Sequence, residues 1–272
     1  MIPNVLSIAG SDPSGGAGIQ ADVKAISANG AFAMAALTAL TAQNTQGVSD
    51  IHLVPPAFVT AQIDTVFDDI RVDAVKIGMI ANAQIAQAVA TALRERDVPI
   101  VLDPVMIAKG GAPLLQPDAI SVLRDQLLPR ATVLTPNLPE AAHLLGVAPA
   151  TSRPEMERQG HALCALGARA VLMKGGHLCG ADSPDCLVSA DQVTWFESPR
   201  SATRNTHGTG CTLSSALAAR IMQTDDIATA VAAAKSYVAM AIACADDLSV
   251  GSGHGPTHHF ATLLPFVQET RP

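Results

Sequence analysis

A glycine-rich turn in the last third of the chain has the residue types of an anion-binding site. Residues 205–211 read Asn-Thr-His-Gly-Thr-Gly-Cys, and an Ala-rich stretch with the periodicity of a helix follows them. Successive backbone N–H groups in such a turn can surround an anion, and the positive end of the helix dipole adds to the attraction. The turn therefore indicates a phosphate site, although the sequence contains no Walker A motif. A loop-to-helix turn without any ligand explains the same residues equally well.

Charged and amide side chains follow several predicted strands at the point where each strand ends. Lys174 comes directly after the apolar stretch 170–173, and a lysine there can hold a transferring phosphoryl group. Asp103 follows another apolar strand, and Glu140 lies beside Asn137. Oxygen ligands of this kind can hold Mg²⁺ directly or through water. The alternatives are a solvated lysine at a strand end and a carboxylate in the first turn of a helix.

Cys211 lies in the first turn of the helix that is predicted after the glycine turn. A thiol at that place tends to have a lowered pKa. The alternative is a small buried cysteine packed under the helix, which is the commoner role of an arbitrary cysteine. Cys164 and Cys244 lie in apolar helical patterns, and we assign both to that packing role.

Two further motifs suggest other ligands, but their context argues against them. Residues 16–21 (Gly-Ala-Gly-Ile-Gln-Ala) match the dinucleotide fingerprint, yet an insertion separates them from the preceding strand, and no Asp or Glu occurs between Val23 and Ser49 to hold a ribose. A loop that closes over a different ligand fits better. His254, His258 and His259 lack nearby carboxylates or thiolates at metal-ligand spacing, so we expect them to cap or pack the C-terminal segment.

Short apolar strands alternate with helices along most of the chain, which predicts a parallel sheet covered on both faces. The stretches 186–188 and 193–196 resemble a hairpin and predict an antiparallel edge. No linker rich in Pro, Gly or Ser divides the chain, so we expect one domain over residues 1–272. The other predicted strands are 5–9, 74–77, 100–102, 132–134 and 170–173. The predicted helices are 17–29, 56–69, 82–96, 117–127, 139–145, 155–166, 211–222 and 226–246.

The composition excludes several classes of partner. With a net charge of −7 and only 3% aromatic residues, the chain lacks both the basic surface and the stacking side chains that nucleic-acid binding requires. The longest uncharged run lies between Lys24 and Asp50, and its apolar part is too short to span a bilayer. The five cysteines form no C-x-x-C pair, which favours a reducing cytoplasm and makes a structural zinc site improbable.

Together these stretches resemble one family, the hydroxymethylpyrimidine/phosphomethylpyrimidine kinases of thiamine biosynthesis, within the ribokinase-like superfamily. The resemblance covers nearly the whole chain, in the family's order and at compatible spacing. It implies a ribokinase-like three-layer α/β/α sandwich with a mostly parallel central sheet and an antiparallel edge. The matching segments are 8–22, 42–45, 76–79, 103–106, 135–141, 173–177, 205–211 and 251–260.

The resemblance also implies roles for individual residues. Gln43 is expected to hydrogen-bond the ring nitrogen and amino edge of an aminopyrimidine, for which a carboxamide is well suited because it offers a donor beside an acceptor. Lys174 is expected to bridge the phosphate donor and acceptor, and Cys211 to be the catalytic base. The pocket is expected to be shaped by Gly10, Asp22, Met79 and Val105. The phosphates of ATP are expected at Thr206, Gly208, Thr209 and Gly210, with Lys235 near the adenine and Mg²⁺ at Asp103, Asn137 and Glu140.

The implied activity is two successive ATP-dependent transfers, first to the hydroxymethylpyrimidine and then to its monophosphate. A homodimer is expected from the resemblance alone. The nearest rival is a pyridoxine or pyridoxal kinase, which shares the fold and the phosphate turn, and dual activity stays open. A catalytically silent pyrimidine-binding module and a nicotinamide-dependent oxidoreductase are more distant alternatives.

Overall fold

A computed structural model describes residues 1–106 and 114–263 of the chain. The predicted single domain of 1–272 therefore extends beyond the described residues. Eight strands form the central sheet, and a separate two-stranded sheet is formed by β3 (Ala39–Asn44) and β4 (Gly47–Leu53). The strands of the central sheet are β1 (Asn4–Ala9), β2 (Phe32–Leu37), β5 (Ala74–Ile77), β6 (Ile100–Leu102), β7 (Val133–Leu134), β8 (Ala170–Lys174), β9 (Asp185–Ser189) and β10 (Val193–Phe196).

The central sheet has the strand order β10-β9-β8-β7-β6-β5-β1-β2. The six strands β8, β7, β6, β5, β1 and β2 are neighbours in this order, and each pair among them is parallel. Strand β9 pairs antiparallel with β8 and with β10. The predicted parallel sheet with an antiparallel edge is therefore confirmed. Parallel strands place all their carboxyl ends at one edge, and that edge is where ligands bind in folds of this class.

Helices cover both faces of the sheet. The helices are α1 (Gly18–Ala28), α2 (Pro56–Asp69), α3 (Ala83–Ala92), α4 (Pro117–Val122), α5 (Leu138–Leu145), α6 (Arg153–Ala165), α7 (Thr209–Ile221) and α8 (Ile227–Ala243). Alternate residues along each strand belong to two different core clusters, because successive side chains of a strand point to opposite faces. Leu6 and Ile8 belong to the core cluster that also contains residues of α2, α3, α5 and α6, whereas Val5 belongs to the cluster with residues of α1, α7 and α8.

The structure differs from the sequence prediction in several places. The edge strand β2 was not predicted, because its sequence is rich in alanine, which is uncommon in strands. The hairpin of β3 and β4 was not predicted either, because its strands contain few large apolar residues. The third helix ends at Ala92 instead of Arg96, where the Arg130 guanidinium donates hydrogen bonds to the carbonyls of Leu93 (2.5 Å) and Arg94 (2.8 Å). The helix predicted over 117–127 is α-helical to Val122 and continues as a single π-helical turn over Leu123–Leu127. Within the described ranges, no helix is both long and apolar enough to cross a bilayer.

A buried ion pair joins two strands of the sheet to helices on one of its faces. Nζ of Lys76 in β5 donates to both carboxylate oxygens of Asp22 in α1, each at 2.8 Å, and both side chains are fully buried. The same carboxylate accepts hydrogen bonds from Ser7 of β1 (2.6 Å) and Ser215 of α7 (2.7 Å). Burial alone lowers the pKa of Lys76, but the Asp22 carboxylate outweighs that effect and the pKa lies above its ordinary value. The pair therefore ties two strands and two helices together directly beneath the carboxyl edge.

Candidate active site

One cavity of about 850 Å³ opens at the carboxyl ends of the parallel strands. Its walls come from the loop after β1, the hairpin of β3 and β4, the ends of β5 to β8, and the start of α7. The structure thus brings residues from many separate segments to one site. The predicted site residues that line it are Gly10, Gln43, Met79, Asp103, Val105, Asn137, Glu140, Lys174, Thr206, Gly208, Thr209, Gly210, Cys211 and Lys235.

Asp22 is the predicted site residue that does not line the cavity. Its side chain is fully buried and its carboxylate is occupied by Lys76, Ser7 and Ser215. Lys76 does line the cavity, so Asp22 can act on a bound ligand only through the position and charge of that lysine.

A cluster of three charged groups lies at the centre of the cavity. Nζ of Lys174 is 2.9 Å from Oδ1 of Asp103 and 3.8 Å from Oε2 of Glu140. Asp103 also accepts hydrogen bonds from Thr135 (3.1 Å) and Ser214 (3.3 Å). Burial raises the pKa of Asp103, but Lys174 and then Lys76 outweigh it and hold that pKa below its ordinary value. Burial lowers the pKa of Lys174, and the carboxylates of Asp103 and Glu140 raise it well above the ordinary range. Lys174 is therefore a fixed positive charge that faces the cavity.

Glu140 and Asn137 form the N-terminal capping box of α5. The Asn137 side chain accepts from the Glu140 amide at 2.9 Å, and Glu140 accepts from the Asn137 amide at 2.8 Å. Glu140 thus has the first-turn role that the sequence left open as its alternative, Asn137 is the N-cap, and both residues also line the cavity. Burial raises the pKa of Glu140 to about 7, and Lys174 limits the rise. Near neutral pH this carboxyl can therefore hold or release a proton.

The carboxylates at this place fit a magnesium ion that arrives with a nucleotide. Mg²⁺ is commonly held by one or two carboxylates together with substrate phosphates and water, instead of a complete cage of protein ligands. Asp103 and Glu140 supply two such carboxylates on the cavity wall, and Asn137 supplies an amide oxygen. Among the described residues, no group of three or more His, Cys, Asp or Glu side chains forms a metal cluster by itself. A resident metal is thus not indicated, whereas a metal brought with phosphate is compatible with this donor set.

The glycine turn lies against both the N-terminal loop and the charged cluster. Gly208 has a left-handed backbone (φ +77°), and a Cβ atom there would be only 1.8 Å from the carbonyl oxygen of Gly16. A Cβ atom on Gly210 would lie 3.3 Å from Nζ of Lys174. Because α7 begins at Thr209, its first amides have no partner within the helix and point out of its N-terminus. The turn therefore places an anion-binding helix start beside Lys174.

Cys211 is partly buried in the first turn of α7, close to Lys76 and Asp103. The expectation that its pKa is lowered is wrong. Burial raises the pKa of this thiol to about 11; the charge of Lys76 and the Gly18 amide lower it, and the charges of Asp22 and Asp103 add to the rise. At neutral pH the Cys211 side chain is therefore a neutral thiol.

The residues predicted to bind the pyrimidine line the same cavity as the charged cluster, except Asp22. A Cβ atom on Gly10 would be 2.3 Å from Cε of Met79, so a larger residue there would have to displace the flexible end of that side chain. Gln43, in β3, has its carboxamide near Thr41 and His207. Lys235 lies away from these residues. Its Nζ is 2.5 Å from Oδ2 of Asp185 and 2.9 Å from the carbonyl oxygen of Ser183.

The cavity residues that had no role in the sequence prediction include Lys76, Asp12 and His207. Lys76 interrupts an otherwise apolar and fully buried strand. A charged residue at such a position could have indicated from the sequence that Lys76 has a buried partner or a role in the site. Asp12 and His207 lie within the motifs that carried the resemblance but were treated as parts of turns. Of the three C-terminal histidines, His258 and His259 pack as expected, whereas His254 is exposed. His258 and His259 are buried, and burial lowers the pKa of His259 to about 4.

The close approach of Gly208 to the carbonyl oxygen of Gly16 leads to a testable prediction. We expect Gly208→Ala to weaken the binding of ATP at least about tenfold, because the added methyl group must push the turn away from Gly16 and so from Lys174. Gly146→Ala is the matched control, since Gly146 also has positive φ (+68°) but open space around it. The control should lose about 1 kcal/mol of stability and bind ATP normally. Calorimetric titration with a non-hydrolysable ATP analogue, together with thermal unfolding, separates the two. Equal nucleotide affinities for both variants would contradict the argument.

Comparison with known proteins agrees with this geometry. A sequence model of the family described as phosphomethylpyrimidine kinase matches residues 12–258. The hydroxymethylpyrimidine/phosphomethylpyrimidine kinase of Escherichia coli is 53% identical over 258 residues, which are 94% of this chain and 97% of that protein. The counterpart of Rhizobium meliloti is 49% identical and covers 94% and 96%. The ADP complex of Bacillus subtilis pyridoxal kinase superposes with a TM-score of 0.89 at 35% identity, covering 97% of this chain and 100% of the other.

A crystal structure of phosphomethylpyrimidine kinase from Clostridium difficile superposes with a TM-score of 0.78 at 40% identity, covering 87% of this chain and 97% of the other. The matched family region contains every predicted site residue except Gly10, which precedes it by two positions. The ribokinase-like α/β architecture expected from the sequence is also confirmed by these structures. The chain belongs to the phosphomethylpyrimidine kinase family.

Proposed function

We propose that this protein uses ATP to phosphorylate 4-amino-5-hydroxymethyl-2-methylpyrimidine, and then the resulting monophosphate, in the formation of thiamine diphosphate. The observation that carries the proposal is the position of Lys174. It lies between Asp103 and Glu140 and against Gly210 at the start of α7, in the same cavity as Gln43. A phosphate-binding helix start, a fixed cation and a carboxamide for a heterocycle thus face one space. The E. coli and R. meliloti relatives, named for both kinase activities, support the substrate.

In this site the protein mainly positions the two reactants and neutralises the negative charge of the phosphates. Phosphoryl transfer has a loose transition state in which negative charge spreads over the equatorial oxygens of the transferred group. Lys174 and the first amides of α7 neutralise that charge, and their preformed geometry avoids reorganisation during the reaction. Asp103 and Glu140, with Asn137, would hold Mg²⁺, which supplies further neutralisation of the phosphates. Thr206, Gly208, Thr209 and Gly210 would form the phosphate cradle, and Lys235 would lie near the nucleotide.

The pyrimidine would occupy the part of the cavity next to Gln43, Gly10, Met79 and Val105. Its hydroxymethyl oxygen attacks the γ-phosphorus, the bond from that phosphorus to the bridging oxygen breaks, and ADP leaves. The hydroxyl proton has to be removed in this first transfer. In the second transfer the nucleophile is a phosphate oxygen that is already ionised, so no base is required. Cys211 would therefore matter to the first transfer only.

A pyridoxal kinase activity is the second candidate. Pyridoxal kinases from B. subtilis and Staphylococcus aureus superpose with TM-scores of 0.89 and 0.88 at 35% and 31% identity. The curated relatives named for pyrimidine kinases are more similar in sequence, which favours the pyrimidine as principal substrate.

Product identification tests the proposed function. With ATP, Mg²⁺ and hydroxymethylpyrimidine, we expect chromatography to show the monophosphate first and the diphosphate later, with one ADP released for each transfer. Pyridoxal in the same assay should react more slowly. If pyridoxal is the faster substrate, the second candidate replaces the first, and if no ADP forms with either compound, the chain is a binding protein and the proposal fails.

The raised pKa of Cys211 gives a second test. If its thiolate is the base, kcat/KM for the alcohol should rise by up to about tenfold per pH unit above neutrality, because only the deprotonated form acts and its pKa is about 11. The monophosphate reaction should lack this rise. Cys211→Ala should flatten the alcohol profile and lower its rate more than that of the monophosphate. Identical pH profiles of wild type and variant would show that Cys211 is not the base.

The resemblance to the family supports a dimer, and the lack of paired cysteines supports a reducing compartment. We propose a homodimer in the cytoplasm. Light scattering on the purified protein measures its mass in solution, and a single-chain mass would contradict the dimer.

A further inference from the structure

The hairpin of β3 and β4, which carries Gln43, is fixed at its base to the loop after β1. The Ser11 amide donates to the Ala39 carbonyl at 2.9 Å, and the Thr41 hydroxyl donates to the Ser11 carbonyl at 2.9 Å. A register shift between Ala42 and Gln43 then interrupts the pairing of the two strands. A hairpin of only two strands is marginally stable, and such an irregularity disrupts its ladder further. The position of Gln43 therefore depends on contacts beyond the hairpin.

The far end of this hairpin is held by residues 251–259, which we call the C-terminal strap. The His254 amide donates to the Thr45 carbonyl at 2.9 Å, and the Gly253 amide donates to the Thr45 hydroxyl oxygen at 3.2 Å. A Cβ atom on Gly253 would be only 2.0 Å from the Thr45 carbonyl oxygen, so this close approach requires a glycine. Gln43 thus lies between an anchor at the base of the hairpin and an anchor at its turn.

The C-terminal strap is bonded to the glycine turn two residues further along. The Gly255 amide donates to Oδ1 of Asn205 at 3.1 Å, and the Gly255 carbonyl accepts from the His207 amide at 3.0 Å. The His207 carbonyl in turn accepts from the Thr257 amide at 3.4 Å. A Cβ atom on Gly255 would be only 2.1 Å from Oδ1 of Asn205, so the two segments are in close contact. The strap therefore holds the backbone that leads directly into Gly208 and the start of α7.

The last residues of the C-terminal strap are packed into the body of the protein. His258 and His259 are both buried, and the His258 amide donates to the Ala241 carbonyl of α8 at 2.8 Å. The Tyr237 hydroxyl of the same helix donates to the His259 carbonyl at 2.8 Å. Nε2 of His259 lies 3.1 Å from Oγ1 of Thr212 in α7. The hairpin and the glycine turn are thus linked through a segment that is itself anchored to α7 and α8.

The contacts of the C-terminal strap lie outside the cavity. Residues 251–259 do not line the cavity, and neither do Thr45 and Asn205. A substitution among them leaves in place the side chains that face a ligand. These residues can therefore act on the reaction only through the positions of the segments that they hold.

We infer that the C-terminal strap sets the position of the pyrimidine-binding hairpin relative to the phosphate-binding turn, with Thr45, Gly253 and Gly255 as positioning residues for phosphoryl transfer. The inference rests on the proposed function and deepens it, since it identifies what aligns the two reactants. Transfer requires the attacking oxygen to be aligned with the γ-phosphorus, and a misplacement of about 1 Å can lower the rate about 100-fold.

The first experiment tests whether the strap holds the hairpin, and it does not depend on enzyme activity. Amide hydrogen exchange, followed by mass spectrometry on peptides from 39–53, is compared between wild type and Gly253→Ala. Exchange in this segment should be at least about tenfold faster in the variant, because the added methyl group must push the strap away from Thr45. Gly160→Ala is the matched control, since its methyl group would clash with Val188 outside the cavity, and it should leave exchange in 39–53 unchanged. Unchanged exchange in Gly253→Ala would overturn the inference.

The second experiment separates alignment from binding. In Gly253→Ala, kcat with ATP and hydroxymethylpyrimidine should fall at least about tenfold. The dissociation constants of the pyrimidine and of a non-hydrolysable ATP analogue, each measured alone by calorimetry, should stay within about threefold of wild type. The control Gly160→Ala should keep the kcat of the wild type.

A milder variant decides the question if Gly253→Ala does not fold. Thr45→Val keeps the shape of the side chain and removes only the acceptor of the Gly253 amide. It should show the same pattern at a smaller size, with kcat lowered about two- to fivefold and both dissociation constants retained. A kcat equal to that of the wild type in this variant would count against the positioning role.

The outcomes separate this inference from the proposed function. If the wild-type protein phosphorylates neither hydroxymethylpyrimidine nor its monophosphate, the proposed function fails, and hydrogen exchange still decides whether the strap holds the hairpin. If the wild-type protein is active and Gly253→Ala exchanges faster without any loss of kcat, the positioning role is wrong. Weaker binding of both ligands that accounts for the whole loss of activity would also contradict it, because the strap would then only maintain the two binding sites.

Discussion

The ion pair between Lys174 and Asp103 is the interaction on which the site depends. A lysine at the end of β8 and an aspartate after β6 come within 2.9 Å because parallel strands deliver their carboxyl ends to the same edge. Either charge alone would be costly to bury at that place. With Glu140 on the other side of the ammonium group, the cluster keeps a cation beside the start of α7, where the glycine turn brings the backbone within reach. The ammonium group of Lys174 and the backbone amides at the start of α7 are thereby positioned next to each other before any ligand binds.

A second buried ion pair, between Asp22 and Lys76, lies beneath this cluster and has a structural role. It joins β1, α1, β5 and α7, and all its contacts are inside the protein except where Lys76 reaches the cavity wall. Its charge also bears on Cys211, whose thiol is held neutral by burial and by the carboxylates of Asp22 and Asp103. Within the proposed function, the site therefore acts through fixed charge and position, and it holds no strongly basic thiolate at neutral pH.

Much of this fold could be predicted because its strands are short, apolar and separated by helices of clear periodicity. The edge strand β2 and the hairpin of β3 and β4 could not, since their strands carry many small or polar residues. A position at the cavity could be predicted for residues that follow a strand, as Lys174 and Asp103 do. Properties that depend on neighbours distant in sequence could not be predicted. The pKa of Cys211 reflects burial and two carboxylates remote in sequence, and the link of Asp12 to His207 spans most of the chain.

The most direct test of the account is the steady-state kinetics of Lys174→Met with ATP and hydroxymethylpyrimidine. The variant keeps the length of the side chain and removes its charge, and circular dichroism can establish that it is folded. Because Lys174 is assigned to the charge that develops on the transferring phosphoryl group, kcat should fall by about 100- to 1,000-fold while KM for the pyrimidine changes little. A kcat close to that of the wild-type protein would contradict the placement of phosphoryl transfer at Lys174.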